Sequence, residues 1–456
     1  MKCEDNRFCS FMKIKTLLSV GFALCSLSAQ AQSAKADIEA HFTAHLHGMT
    51  APYTQHDKLR WSQVEKTRAQ VWKAWREANG AYDEDKLPEL RPLNTDTLLW
   101  PLPQELEPDA VMPYYYGTKG DKPAEGWPLY LYIHGSGPKE HEWGTGYVLC
   151  SRFADAPSLY FIPQIPNEGA YYRWWQRSKQ FAWERLLRQA FINDDIDARR
   201  VYIFGISEGG YGSQRLASFY ADYLAAAGPM AGGEIPSEAP AENCGHIGFT
   251  LRTGANDFMF ARHLLTARTH ELLDSLQRCH PEEYNHRVEL IPGRGHGIDY
   301  APTTPWLSYF TRTLHPRHFV WEDYPMDGLY RRGFYNIAVH ERDTTGGNER
   351  TRYEMSIEGN TINLTVDRIS YEVTEREPHW GIPIKHLKHR TPSTEGCFTL
   401  YLADDMVDFS KQVTLIVNGK QVYTGKVKPD VQHMVNSCTT FFDPERVYAA
   451  GIRVEL

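Results

Sequence analysis

One junction limits the folds open to this chain more than any other feature. An apolar run, Arg200-Val201-Tyr202-Ile203-Phe204, ends directly in Gly205-Ile206-Ser207-Glu208-Gly209-Gly210, and Tyr211-Gly212-Ser213-Gln214-Arg215-Leu216-Ala217 then opens a helix. A continuous apolar run of this length suits a strand buried on both faces. A sharp strand-to-helix turn has no room for side chains beside its apex, and Gly205 and Gly209 flank Ser207 accordingly. The helix N-terminus adds unpaired N–H groups and a positive dipole end at that apex. Ser207 is therefore the candidate nucleophile, on a parallel sheet that helices must cover.

The flanking sequence repeats the alternation. Strands are expected at Leu129–Ile133, Leu159–Ile162, Val201–Phe204, Tyr223–Gly228, Ile247–Leu251 and Val288–Ile291. Helices are expected at Phe181–Phe191, Tyr211–Tyr223 and Arg262–Gln277. That order gives an α/β class with a mostly parallel sheet and helices on both faces. Ahead of it, residues 32–109 form a mixed extension with an amphipathic helix over Trp61–Asn79, its Trp61, Val64, Val71, Trp72 and Trp75 recurring at helical spacing. After the sheet, short alternating strands are expected at Tyr353–Ile357, Thr361–Val366, Cys397–Leu402, Gln412–Val417 and Gln421–Thr424, with a hairpin turn at Asn418-Gly419. The expected organisation is 1–31 signal peptide, 32–109 extension, 110–319 catalytic α/β domain and 320–456 small all-β sandwich-like domain.

The first residues carry export features: Lys13 and Lys15, an apolar core from Leu17 to Leu27, and Ala29-Gln30-Ala31 as a cleavage pattern that starts the mature chain at Gln32. Met12 fits as an alternative initiator. The apolar stretch is short for a bilayer span, and the large Leu24 before Cys25 disfavours a lipid anchor. A secreted or periplasmic protein is expected. Five cysteines follow that cleavage site, Cys150, Cys244, Cys279, Cys397 and Cys438. In an oxidising compartment Cys244–Cys279 and Cys397–Cys438 are plausible disulfides, and five buried thiols are the alternative. No cysteine and histidine spacing suggests a metal, and no cofactor is expected. With a net charge of −8 and no long basic run, nucleic acid is not the expected partner.

Further candidates lie on both sides of Ser207 in the chain, the oxyanion loop upstream and the acid and base downstream. Leu129–Ile133 runs into His134-Gly135-Ser136-Gly137, where Ser136 or Gly137, with the N–H of Glu208, would face an oxyanion. His134 is expected to hold that loop by hydrogen bonding. Ile247–Leu251 leads to Gly254-Ala255-Asn256-Asp257, making Asp257 the candidate acid, with Asp274 and Asp299 as alternatives; Asp299 lies after the histidine, out of order. Val288–Ile291 leads to Gly293-Arg294-Gly295-His296-Gly297, making His296 the candidate base.

These motifs together resemble the α/β-hydrolase superfamily, and within it secreted polyhydroxybutyrate-depolymerase-like and feruloyl-esterase-like enzymes. Arg200-Val201-Tyr202 and Ala227-Gly228-Pro229-Met230-Ala231-Gly232-Gly233 share that likeness, which covers about residues 110–316. Gly209-Gly210-Tyr211 is equally similar to prolyl-oligopeptidase-type peptidases. The resemblance implies acyl transfer, with Ser207 attacking, His296 as base then acid, and Asp257 holding the imidazole. Tyr171, Trp174 and Trp175 follow a strand end and suit an acyl pocket or a sugar-stacking wall; anchoring of the next helix accounts for them equally well. Three readings follow: a carboxylesterase on substituted carbohydrate or a small ester, a secreted peptidase, or an inactive carbohydrate-binding surface protein.

Overall fold

The apolar runs pair into one eight-stranded sheet. In the computed structural model, which describes residues 35–82, 86–343 and 349–456, its strands are β1 (Leu98–Pro101), β2 (Val111–Lys119), β3 (Trp127–Ile133), β4 (Ser158–Pro163), β5 (Ile196–Ile206), β6 (Ala226–Met230), β7 (Gly248–Gly254) and β8 (His286–Ile291). Their order across the sheet is β1-β2-β4-β3-β5-β6-β7-β8. β2 is antiparallel to both neighbours, and every pairing from β4 to β8 is parallel.

Helix α1 covers residues 35–46. It is followed by α2 (Val64–Ala81), α3 (Lys139–Arg152), α4 (Arg177–Phe191), α5 (Glu208–Phe219), α6 (Arg262–Cys279), α7 (Thr303–Leu307) and α8 (Val431–Phe441). Alternation along β3 explains why helices lie on both faces. Leu129, Leu131 and Ile133 join Leu186 of α4 and Leu216 of α5 in one cluster. Tyr130 and Tyr132 join Trp143 and Cys150 of α3 and Leu307 of α7 in another.

The rest of the chain forms two further sheets from β9 (His318–Asp323), β10 (Gly333–Phe334), β11 (Ile337–Glu341), β12 (Arg350–Glu358), β13 (Thr361–Arg376), β14 (Pro383–Pro392), β15 (Cys397–Leu402), β16 (Val413–Val417), β17 (Lys420–Gly425) and β18 (Ala450–Glu455). One has the order β10-β11-β15-β18; the other runs β17-β16-β13-β12-β9, with β14 on β13. Asn418 and Gly419 at the β16–β17 turn both take positive φ, 48° and 76°, as a type I′ turn requires.

Several expectations need correction. β1 extends the sheet into the segment assigned to the extension, because it pairs with β2 at Leu98↔Tyr114. The C-terminal part is not all β. Asp430 caps α8 by accepting from the N–H of Gln432 at 2.9 Å, and α8 packs Met434, Val435 and Cys438 against Phe42, Val71 and Trp75 of the N-terminal extension, or leader. Trp75 is thus core, while Trp61 is exposed and stacks on Phe409. Nor does the core break at residue 320, since Phe319, Trp321 and Met355 share a cluster with Leu129. No disulfide forms among Cys150, Cys244, Cys279, Cys397 and Cys438. Cys279 is exposed whereas Cys244 is buried, and Cys438 lies in the leader cluster that excludes Cys397. The signal peptide expected over 1–31 lies outside the described residues. Among the described residues no helix is long and apolar enough to cross a membrane.

Candidate active site

Strand pairing brings the site together. β3 and β5 run parallel with Ile133 opposite Gly205, so the loops leaving both strands emerge side by side. At the end of β5 the backbone turns through Ser207, which takes φ 59° and ψ −114°, a conformation costly for a residue with a Cβ. The turn is pinned by Ser207 N–H donating to Met230 O at 2.9 Å and by Tyr211 N–H donating to Ser207 O at 3.0 Å. A Cβ on Gly209 would stand 2.0 Å from Ile133 O, and one on Gly205 2.4 Å from Gly209 O, so neither position admits a side chain.

β7 and β8 deliver the other two groups. His296 places Nε2 2.9 Å from Ser207 Oγ and Nδ1 2.7 Å from Asp257 Oδ2. Asp257 is 3% exposed, and its second oxygen accepts from the Arg262 guanidinium at 3.0 Å. Burial alone would raise the Asp257 carboxyl, but hydrogen bonds and charge from His296 and Arg262 outweigh it and hold the pKa below the usual carboxylate range. Asp274 instead contacts His286, and Asp299 accepts from the N–H of Ala301 at its carboxylate and from Arg252 at its carbonyl. Neither alternative reaches His296.

Elbow, acid and histidine hang from β5, β7 and β8 in a sheet of this order. The chain has the α/β-hydrolase fold. No family model matches it, and no curated protein matches it. Among solved structures it is similar to a thermostable esterase, at 21% identity and a TM-score of 0.36, over 48% of this chain and 64% of that one. It therefore spans less than two thirds of that esterase. It is also similar to a ferulic acid esterase from Anaeromyces mucronatus, at 14% identity and a TM-score of 0.36, over 50% of this chain and 92% of that one. A fluorophosphonate-binding serine hydrolase from Staphylococcus aureus is similar at 14% identity and a TM-score of 0.34, over 45% and 93%.

The loop after β3 is held from beneath. Ile165 N–H donates to His134 Nε2 at 3.1 Å, so the ring proton sits on Nδ1 and is donated to Gly135 O at 2.7 Å. Burial lowers the His134 pKa to about 4, which keeps the ring neutral. The Tyr172 hydroxyl lies 2.7 Å from Gly135 O and 2.9 Å from Gly137 O. Because a trans peptide sets N–H opposite C=O, the Ser136 N–H points away from Tyr172. Among the described residues no acceptor binds the N–H of Ser136, Gly137 or Glu208.

The aromatic loop divides. Trp174 is 0% exposed and donates its indole N–H to His134 O at 2.9 Å, so the expectation that it faces substrate is corrected: it supports the loop from within the core. Trp175 is partly buried under the Arg215 guanidinium, 4.2 Å from its ring centre, and Tyr171 stands at the surface. The exposed apolar surface beside the acid comes from residues that periodicity did not single out. Phe258, Met259 and Phe260 directly follow Asp257, and Trp380, between β13 and β14, packs on Phe260 at 4.7 Å. Phe260 and Ala261 both take positive φ, so this loop is strained as well.

The Glu208 side chain is a second feature the sequence did not reveal. Its carboxylate is mostly buried, 3.5 Å from Arg173, and burial raises its pKa to about 7 despite that cation. An acid whose folded pKa exceeds its unfolded value, about 4.3, binds its proton more tightly when folded. The stability this gives is complete below the unfolded pKa and is lost as pH rises toward 7. Glu208→Gln should flatten that decline, narrowing the difference in thermal midpoint between pH 5 and pH 8. An unchanged difference would show that Glu208 titrates normally.

Proposed function

We propose that this protein is a secreted serine hydrolase working by acyl transfer, a carboxylesterase on ester-substituted carbohydrate or a related small ester. The observation that carries the reading is the continuous hydrogen-bonded relay from Ser207 through His296 to Asp257. Ser207 Oγ attacks the ester carbonyl carbon while its proton passes to His296 Nε2. The carbonyl becomes an oxyanion facing the N–H of Glu208 at the helix N-terminus and that of Ser136 or Gly137. His296 then gives the proton to the departing alkoxide, leaving the acyl group on Ser207. Water, deprotonated by the same imidazole, releases the acid and restores the serine.

The imidazole of His296 is 45% exposed, which suits substrates too large to be enclosed. Phe258, Phe260 and Trp380 offer apolar faces on which a planar acyl group or a sugar ring could stack. Export would place such an enzyme among extracellular esters, and the features of residues 13–31 support that location.

The test is turnover by the purified mature chain on aryl acetates, acetylated and feruloylated saccharides, and peptide amides, with fluorophosphonate labelling mapped by mass spectrometry. Ester turnover with label on Ser207 is expected. Amide turnover exceeding ester turnover would give the peptidase reading. Folded protein that takes no label would remove both and leave the inactive binding protein.

A further inference from the structure

Far from Ser207 in sequence, the N-terminal extension, the four-stranded sheet and α8 border a part-open cavity of about 400 Å³, with Arg332 and Arg453 exposed at its edge. That volume lies within the range of small-molecule sites. Its lining is unusual in charge. It contains two arginines, Arg332 and Arg453, and three histidines, His45, His340 and His433, but no aspartate or glutamate. Arg332 donates to His45 Nε2 at 3.2 Å, an uncharged acceptor, so this contact does not neutralise it. Arg453 meets Glu455 at 3.3 Å outside the lining, with both side chains more than half exposed. Burial, with the two arginines beside His45 and His340, lowers all three imidazoles, His45 to about 4. The permanent charge facing the cavity is therefore that of two guanidiniums.

Guanidinium forks pair best with planar or tetrahedral oxyanions, through charge-assisted bonds stronger than neutral ones. The remaining polar wall includes Gln432, which suits a hydroxylated body. We propose that this cavity is a binding site for a small molecule carrying an oxyanion group, of the size and polarity of an acidic sugar. Arg332 and Arg453 grip the anionic group, and the imidazoles and the Gln432 amide meet the hydroxyls. The site is separate from the Ser207 relay, and it stands whether or not the hydrolase reading does.

The experiment is calorimetric titration of the full chain with galacturonate, sodium sulfate and galactose. Wild type should bind galacturonate, and galactose should give no heat at the same concentration. Arg332→Gln and Arg453→Gln should each weaken galacturonate about ten- to a hundred-fold, the loss of one charge-assisted hydrogen-bond set. Together they should abolish binding. Sulfate binding as tightly, with the same arginine dependence, would support the oxyanion grip and assign the ligand to inorganic anions. No heat with either anion, equal binding of galactose, or binding unchanged in the double variant would overturn the proposal. Thermal midpoints and ester turnover of the variants should match wild type. If the glutamine variants fail to fold, Arg332→Lys and Arg453→Lys keep the charge and remove the fork, and should still weaken galacturonate.

Discussion

Ser207→Ala should lower kcat by on the order of 10⁶, and Asp257→Asn by roughly 10⁴, with both chains folded as wild type. Under the proposed mechanism the two losses differ because the residues do different work. Without Ser207 no covalent bond forms, and only positioning and the oxyanion donors remain. In the Asp257→Asn variant the serine is present, but its base is wrongly set. In the native site Asp257 Oδ2 accepts from His296 Nδ1, leaving Nε2 free to take the serine proton. A side-chain amide in place of that carboxylate can donate to Nδ1 instead, which puts the ring proton on Nε2 and blocks the transfer. Since the residues act as one unit, the double variant should be about as impaired as Ser207→Ala alone. Steady-state turnover of an activated ester checks this. A loss under tenfold for Asp257→Asn would move the orienting role to another group.

The largest stability effect should come from Asp222→Asn, about 3–5 kcal/mol. Asp222 sits just after α5, fully buried, and binds two guanidiniums. Arg331 reaches its oxygens at 2.9 and 3.1 Å, and Arg446 at 2.5 Å. Arg446 also donates to Asp443 at 2.7 Å, and Arg312 pairs with that same Asp443. The network joins the parallel sheet's helix layer to the C-terminal sheets. Neutralising Asp222 leaves Arg331 buried without a carboxylate, which costs far more than an exposed pair would. Urea unfolding of wild type and variant checks the magnitude. Burial alone would raise the Asp222 carboxyl, but Arg331 and Arg446 hold it below its ordinary value. Its contribution is therefore complete above the unfolded pKa of about 4 and fades as pH falls toward the folded value. The two unfolding curves should converge in acid. A constant gap at low pH would show that the loss is one of packing rather than charge.

Chemistry imposes local constraints, and those are what the sequence displayed. Ser207 and His296 each lie at a strand end among glycines, and Asp257 follows a strand ending in Gly254, patterns that composition alone rarely produces in that order. Trp174 was ambiguous because an aromatic residue in a loop looks the same whether it enters the core or faces water. β14 leaves no signal in the sequence, since its Lys385-His386-Leu387-Lys388-His389-Arg390 is mostly exposed and shows no buried period. Helix α3 is hidden in the sequence because Gly144 and Gly146 interrupt its pattern. α8 lies in a region whose neighbours read as strands, and its partners come from the opposite end of the chain. Arg262 and Trp380 matter only through tertiary contact, on which a linear pattern is silent.

Those distant partners also dictate an order of events during folding. The N–H of Asp57 donates to Asp430, Val431 donates back to Asp57, and Asn436 brackets Tyr53 with both ends of its amide. These bonds close over more than 370 residues. The leader is the first of the described residues to be synthesised, yet Phe42 and Trp75 cannot be buried until α8 exists. Until then they are exposed apolar surface, available to chaperones or to other unfinished copies. Deleting the last thirty or so residues would therefore strip cover from the beginning of the protein as much as from its end, and a protease probing such a truncation should cut first in the leader.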